Sequence, residues 1–409
     1  MPHRNAITSF VGLQSHEVVR WKRHHKSWIE LWIEYRGRRY RCGGCGQGFT
    51  GRHDEELIRV RDLDISKHRV FLWLPRYRVR CPRCGIRRVE SVIVRQGARC
   101  TRRFERKLFL LTDYMPVKAV AEQERVDWRT VKDAEIRYIV GLLRKRELDD
   151  ITELGIDEVS EKKGHRYLTL VTDLKKRRVI WVGRGNDGAV IRAFFRWFGK
   201  ERARRLKIVV IDMHDPYLLE LRKRCPRATK IVFDHFHVIK PLSLAIDNIR
   251  RRLQNELPPD GKRYLKGSRY LLLRNREDLT RTQHVRLQDL LRLPANEILS
   301  TAYILKEDLR VVFRRLDPKQ ARAELRDWKR RARESGIPEI LAYVKMLDRR
   351  RFGILNFFKH RKTNGLSEGM NNVVKTIKKN AYGFHDWQYF QLKILRKCGK
   401  LGDGSTDRD

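Results

Sequence analysis

Three carboxylates stand where the chain's pattern could gather a metal site. Asp157 follows the apolar stretch Leu154-Gly155-Ile156, and Asp212 closes the run Ile208-Val209-Val210-Ile211. Glu368 lies in Gly365-Leu366-Ser367-Glu368-Gly369-Met370-Asn371-Asn372, just before a helical pattern. Phosphodiester hydrolysis or transfer needs an activated oxygen nucleophile and relief of charge on the leaving oxygen, and two Mg²⁺ ions about 4 Å apart do both. Magnesium prefers hard oxygen ligands and leaves positions for water and phosphate. Lysine and arginine total 93 against 50 acids, a net charge of +43, which makes a polyanion the expected substrate.

Asp212 is the best single candidate, because a charge ending a buried strand is excluded unless it meets a partner or a metal. Asp157 is similar, with Glu153 and Glu158 as substitutes for it. Glu368 is weak on these grounds, since an acid near a helix start is often only a dipole partner. A cap or a salt bridge accounts equally well for each acid taken alone. Asp234-His235-Phe236-His237 follows the strand pattern Ile231-Val232-Phe233. Asp234 and His237 could pair with each other or support the metals through the direct ligands. His235 and His237 as zinc ligands is the other reading, but no nearby Cys or His completes a set.

A second cluster involves four of the seven cysteines. Cys42-Gly-Gly-Cys45 and Cys81-Pro-Arg-Cys84 are separated by 35 residues. Each CxxC can form a knuckle whose backbone amides approach the sulfurs, and two knuckles complete a tetrahedral zinc site with four thiolates. The gap exceeds the commonest zinc-ribbon spacing, and free or redox thiols are the competing account. A thioredoxin-like site needs its CxxC at a helix start after a strand, and neither pair fits. His53 and His68, between the pairs, read as surface histidines, and Cys100, Cys225 and Cys398 as structural.

These residues need elements to position them. Trp28–Tyr35 alternates and reads as a strand, and Val70–Leu74 with Arg76–Arg80 as a hairpin broken at Pro75. Phe104–Leu111, Val117–Gln123 and Val126–Arg137, with Asp127 as N-cap, suit a helix-turn-helix. Its last helix would offer Trp128, Arg129, Thr130 and Lys132 to a major groove, over a core of Ala119, Val120, Val131 and Ile136. A plain helical connector fits that segment almost as well. Strands are expected near 152–157, 166–173, 178–183, 207–212 and 229–233, with helices near 188–199 and 215–224. Gly183-Arg-Gly185 reads as a turn. Residues 238–360 look almost wholly helical, with breaks at Pro258-Pro259, Pro294, Pro318 and Gly336-Ile337-Pro338. Helices near 366–379 and 385–397 follow, then a polar tail from Gly399.

A chain of 409 residues accommodates two or three domains. Basic residues run through every segment and form no single tail, which favours nucleic acid over a solubilising, ribosomal-type or membrane-surface role. No apolar stretch approaches the ~20 residues that span a bilayer. Met-Pro-His-Arg-Asn lacks a signal-peptide apolar region, so a cytoplasmic, nucleoid-associated protein is expected.

Together, the cysteine pairs, Ile58-Arg59-Val60-Arg61-Asp62-Leu63-Asp64, Gly155-Ile156-Asp157-Glu158, Val210-Ile211-Asp212-Met213, Phe233-Asp234-His235-Phe236-His237 and Asn364 to Asn372 resemble the bacterial insertion-sequence transposases of the ISL3 family. The resemblance spans roughly 40 to 397, and Thr363 sits where Ser or Thr is common. It implies a DDE transposase with an α/β catalytic core of RNase H-like type, a mixed sheet with flanking helices, interrupted by an all-α insertion. The implied domains are a zinc-binding DNA-binding module at 1–98, a helix-turn-helix at 99–149, the core at 150–237 and 364–398, the insertion at 238–363 and a disordered tail at 399–409. The resemblance makes Asp157, Asp212 and Glu368 the catalytic triad and holders of two Mg²⁺ or Mn²⁺ ions. It makes Asp234 and His237 the family's Asp-x-x-His element. The spacing agrees, with 55 residues from Asp157 to Asp212 and 156 from there to Glu368. One structural Zn²⁺ would sit on Cys42, Cys45, Cys81 and Cys84. The zinc module and helix-turn-helix would bind double-stranded DNA, the terminal inverted repeats, as a homodimer or larger homo-oligomer. Water attack at the element's end would release a 3′-OH, which then attacks target DNA. A non-catalytic DNA-binding regulator and an RNase H-like nuclease without strand transfer are the alternatives. Trp328 could stack on a displaced base, and an ordinary half-buried tryptophan is the plainer account.

Overall fold

The computed structural model describes residues 6–13, 16–24, 27–162, 166–256, 262, 265–365, 367–381, 384 and 386–401. The expected break at Pro258-Pro259 and the tail residues 402–409 lie outside them. The chain divides into two compact units, 1–146 with 401–409, and 147–400. Among the described residues no helix is long and apolar enough to cross a membrane.

Among its described residues the first unit holds seven strands: β1 (His16–His24), β2 (Trp28–Tyr35), β3 (Tyr40–Arg41), β4 (Gly48–Phe49), β5 (Asp54–Ile65), β6 (His68–Cys81) and β7 (Gly85–Arg88). Its main sheet runs β1-β2-β6-β5, with β7 on the end of β6, and β3 and β4 form a separate hairpin. Period-two alternation puts Leu31, Ile33, Val70, Leu72 and Leu74 on one face, where they form the core. Pro75 does not break a hairpin as expected, because β6 runs straight through it, paired with Leu57 of β5. The strand tolerates the missing N–H there because β2 pairs only as far as Trp73 and β7 begins only opposite Arg78.

Three helices follow, Arg102–Leu111, Val117–Glu124 and Trp128–Arg144, in helix-turn-helix order. Thr101 caps the first through Phe104 N and Asp127 the third through Arg129 N, while Arg125 takes the left-handed conformation that ends the second. Phe104, Leu108, Val120, Ala121, Val131 and Ala134 are buried together. Ala119 and Ile136, expected in that core, are only half-buried, and Ala121 and Ala134 take their places. Buried Asp62 joins sheet to helices, accepting from Thr101 Oγ1 at 2.6 Å and Arg103 Nε at 2.7 Å.

The second unit is built on β8 (Glu153–Lys162), β9 (Arg166–Asp173), β10 (Arg178–Arg184), β11 (Ile208–Ile211) and β12 (Lys230–Phe233). The sheet order is β10-β9-β8-β11-β12, with β10, β9 and β8 antiparallel and β11 and β12 parallel to β8. Gly183 lies inside β10 and not in a turn; its lack of a side chain admits Trp181 and Val190, which a Cβ would meet at 2.3 and 2.5 Å. Helix Gly188–Phe198, capped by Asp187, lays Val190, Ile191, Phe194 and Phe198 on the sheet.

From His235 the described residues are mostly helical, through His235–Glu256, Arg281–Arg292, Glu297–Arg314, Pro318–Glu334, Pro338–Arg349 and Arg351–His360. Pro318 and Pro338 open helices and do not merely interrupt them, since a first-turn N–H has no partner to lose. These helices share one hydrophobic cluster with the sheet. Helix Arg351–His360 covers the β12 edge, where Asn356 Nδ2 donates to Ile231 O at 2.8 Å and Gly353 admits the Phe233 ring. Trp328 is neither half-buried nor available to a base: it is fully enclosed, its indole N–H donating to Leu305 O at 2.7 Å. Helices Ser367–Asn380 and Trp387–Cys398 complete the unit.

Candidate functional site

The parallel register of β8 and β11 decides where the acids meet. Ile208, Val209 and Val210 pair with Glu153, Leu154 and Gly155. Two steps further along, Asp212 comes level with Asp157. On the other side β12 runs parallel to β11 with Ile211 opposite Phe233, which brings Asp234 level with Asp212. Asp234 N donates to Ile211 O at 3.0 Å. The group lies at the carboxyl ends of two parallel strands, where open α/β sheets present ligand sites. Asp157 itself sits inside β8, not at a strand end as its sequence suggested.

Asp157, Asp212 and His237 each offer a ligand atom within 4.8 Å of one another. His237 is in the first turn of helix His235–Glu256, with Nδ1 2.9 Å from Asp212 Oδ2. The other Asp212 oxygen, Oδ1, is buried with no hydrogen-bond partner among the described residues. An orphaned carboxylate oxygen beside a second carboxylate suits a hard divalent cation. Burial pushes the Asp212 carboxyl up, more than the His237 hydrogen bond lowers it. Burial alone would lower His237, but its bond to Asp212 and the surrounding carboxylates raise it.

Asp234 makes different contacts. Its carboxylate accepts from Phe236 N at 3.0 Å and Asn364 N at 2.6 Å, and it does not pair with His237. Buried Asn364 also donates through Nδ2 to Ile156 O at 2.9 Å. The approach is so close that a Cβ on Gly155 would meet Asn364 Oδ1 at 2.3 Å. This latch fastens the segment before helix Ser367–Asn380 to both β8 and the end of β12. Glu368 is in the first turn of that helix, and its side chain lies outside the described residues. One turn on, Asn371 Nδ2 donates to Asp157 Oδ2 at 3.2 Å.

Asn364, Asn371 and Gly155 carry roles that the sequence reading did not give them, although all three lie inside its motifs. The signal for the two asparagines was the Asn-containing run from Asn364 to Asn372, and for Gly155 its place two residues before Asp157. Neither substitute for Asp157 joins the cluster. Glu153 pairs with Lys362 at 2.7 Å, and Glu158 faces Asn186 and His214. His235 stacks on Phe357, 5.0 Å between centroids, and belongs to no metal-competent group among the described residues.

In the first unit Cys42, Cys45, Cys81 and Cys84 place their sulfurs within 4.8 Å of one another. Cys45 and Cys81 Sγ are 3.6 Å apart, close to the ~3.8 Å edge of a tetrahedron with ~2.3 Å Zn–S bonds. The knuckles form as their glycines require. Gly44 N donates to Cys42 Sγ at 3.4 Å, and a Cβ at Gly43 would meet Arg88 O at 2.8 Å. Backbone amides of Cys45 and Gly44 lower the Cys42 thiol to about 7, whereas neighbouring Cys45 and burial push Cys84 up to about 12. A cation is the usual means of holding four such thiols as thiolates. On the third helix of the helix-turn-helix, Trp128 and Arg129 are exposed, the guanidinium 5.4 Å from the indole centroid, while Thr130 and Lys132 are half-buried.

Comparison with known proteins finds matches over most of the chain. Residues 154–394 match a transposase family profile of the ISL3 type, 90–139 the helix-turn-helix domain of transposase family ISL3, and 30–84 the zinc-finger of transposases IS204, IS1001, IS1096 and IS1165. The chain is 35% identical over 400 residues to the transposase for insertion sequence element IS1001 of Bordetella parapertussis, covering 96% of this chain and 98% of the relative. It is 32% identical over 388 residues to the transposase for insertion sequence element IS1557 of Mycobacterium tuberculosis (strain ATCC 25618 / H37Rv), covering 88% and 86%.

Proposed function

This chain belongs to the ISL3 family of transposases, and we propose that it is a DDE enzyme that binds an element's terminal inverted repeats and carries out metal-dependent cleavage and strand transfer. The observation that carries the reading is the meeting of Asp157 and Asp212 from neighbouring parallel strands, with an oxygen of Asp212 left without a hydrogen-bond partner among the described residues. The strand order, three antiparallel strands followed by two parallel ones, supports an RNase H-like core. In this reading Asp157, Asp212 and Glu368 hold two Mg²⁺ or Mn²⁺ ions, and Cys42, Cys45, Cys81 and Cys84 one structural Zn²⁺. The divalent ions would activate the attacking oxygen and offset charge on the leaving one.

The protein's own contribution is positioning and charge. His237 holds the Asp212 carboxylate by one oxygen and leaves the other without a hydrogen-bond partner among the described residues. Asn371 orients Asp157 in the same way. Water first attacks the phosphorus at the element's end, breaking the P–O3′ bond and releasing a 3′-OH. That hydroxyl then attacks a target phosphorus and displaces the target's own 3′ oxygen. Both steps are in-line displacements on a polyanion, for which orientation and charge stabilisation supply most of the rate. Trp128, Arg129, Thr130 and Lys132 would contact the repeat in its major groove, and a homodimer or larger assembly would bring two ends together.

The test is Asp212→Asn on a labelled element end. The variant should retain end binding and lose cleavage with Mg²⁺ or Mn²⁺. Cleavage at the wild-type rate would refute the assignment.

A further inference from the structure

The main sheet of the first unit buries the face that carries Leu31, Val70 and Leu72. On its other face the strand register aligns side chains in rows. Arg20 of β1 pairs with Trp32 of β2, Trp32 with Trp73 of β6, and Trp73 with Arg59 of β5. The result is an Arg–Trp–Trp–Arg row across four strands, about 14 Å wide at the ~4.8 Å strand spacing. The indoles are half-buried, within 9° of parallel, with centroids 6.3 Å apart. Arg20 lies 4.7 Å over the Trp32 ring, and Arg59 3.7 Å over Phe71 in the next row. Lys22 and Arg69 add charge to the same face. The acid within these rows, Glu30, is engaged by His24 at 2.9 Å and Arg59 at 3.0 Å.

We propose that this face is a docking site for single-stranded DNA, with Trp32 and Trp73 each taking one unpaired base. Aromatic rings on adjacent central strands of a basic sheet are a sequence-tolerant platform for base stacking. The spacing selects the form of the DNA. Centroids 6.3 Å apart are about twice the ~3.4 Å separation along one strand of a duplex. Successive bases reach both rings only when the strand is extended and unpaired. Arg20 then moves from the Trp32 ring to a phosphate, exchanging an exposed cation–π contact for a stronger base–ring stack and a charge-assisted contact. The inference rests on DNA binding and not on the proposed cleavage.

The experiment measures fluorescence anisotropy of a labelled ten-nucleotide thymidylate with the full chain, with no divalent metal added, beside a duplex of equal length. Because no cleavage is read, failure of the catalytic assignment leaves the result interpretable. The double variant Trp32→Ala/Trp73→Ala should weaken thymidylate binding at least about tenfold and leave duplex binding within about threefold. Trp32→Phe/Trp73→Phe should stay near wild type on both. Unchanged thymidylate binding by the alanine variant would overturn the proposal. So would equal losses on the two DNAs, or a phenylalanine variant as weak as the alanine one.

Discussion

The latch built on Asn364 should govern cleavage without touching DNA. Asn364→Ala deletes the Nδ2 donor to Ile156 O, a 2.9 Å bond made by a residue only 4% exposed. Leaving a buried carbonyl short of its partner costs about 1–3 kcal/mol. At ~2–4 °C per kcal/mol for a domain of this size, the second unit should melt roughly 2–12 °C lower and still be folded at assay temperature. The functional effect should be larger. Freed from β8, the segment holding Glu368 and Asn371 shifts against Asp157, and a ~1 Å misplacement of a catalytic constellation costs about 100-fold. We therefore expect end cleavage to fall about 100-fold while end binding, measured by gel shift, is unchanged. Gly155→Ala should do the same from the other side, because its Cβ would lie 2.3 Å from Asn364 Oδ1. Cleavage within threefold of wild type in both variants would show that the latch does not set the geometry of the acids. So would equal losses of binding and cleavage.

Two further outcomes are expected. Cys81→Ser should abolish stoichiometric zinc in the purified protein and the cooperative melt of the first unit, as read by metal analysis and calorimetry; a wild-type protein that is folded yet zinc-free would contradict the four-thiolate site. Glu277 is held down to about 2 by its hydrogen bonds to Arg310 and Arg314. A depressed carboxyl contributes stability that is present above its unfolded value near 4.5 and lost as pH falls toward 2. Glu277→Gln should flatten that acid limb in thermal melts, by a small amount because the pair is partly exposed; an identical pH profile would argue against the contribution.

Much of the positioning was legible because it is local. The apolar run Ile208–Ile211 fixes a buried strand, and the acid closing it needs a partner wherever the strand goes. Paired CxxC spacing, the Asp127 cap and the charge of +43 are read the same way, since each depends on neighbours within a turn or knuckle or on composition alone. Where local reading failed, a distant neighbour had decided. Pro75 stays within a strand because β2 ends its pairing two residues earlier. Trp328 is enclosed because Leu305 and Tyr343, from other helices, close around it.

The amino-acid sequence by itself determined that this is a basic chain of strands and helices with paired cysteine knuckles and acids at the borders of apolar runs, because those properties belong to periodicity and residue type. Only the tertiary structure decided which acids meet. The parallel register of β8, β11 and β12 sets Asp157, Asp212 and Asp234 side by side, and then gives Asp234 to the Asn364 latch and Asp212 to His237. The same is true of Trp32 and Trp73, which become neighbours only through the pairing of β2 with β6. Pairing across dozens of residues is set by which surfaces bury together, and no stretch of sequence carries that information alone.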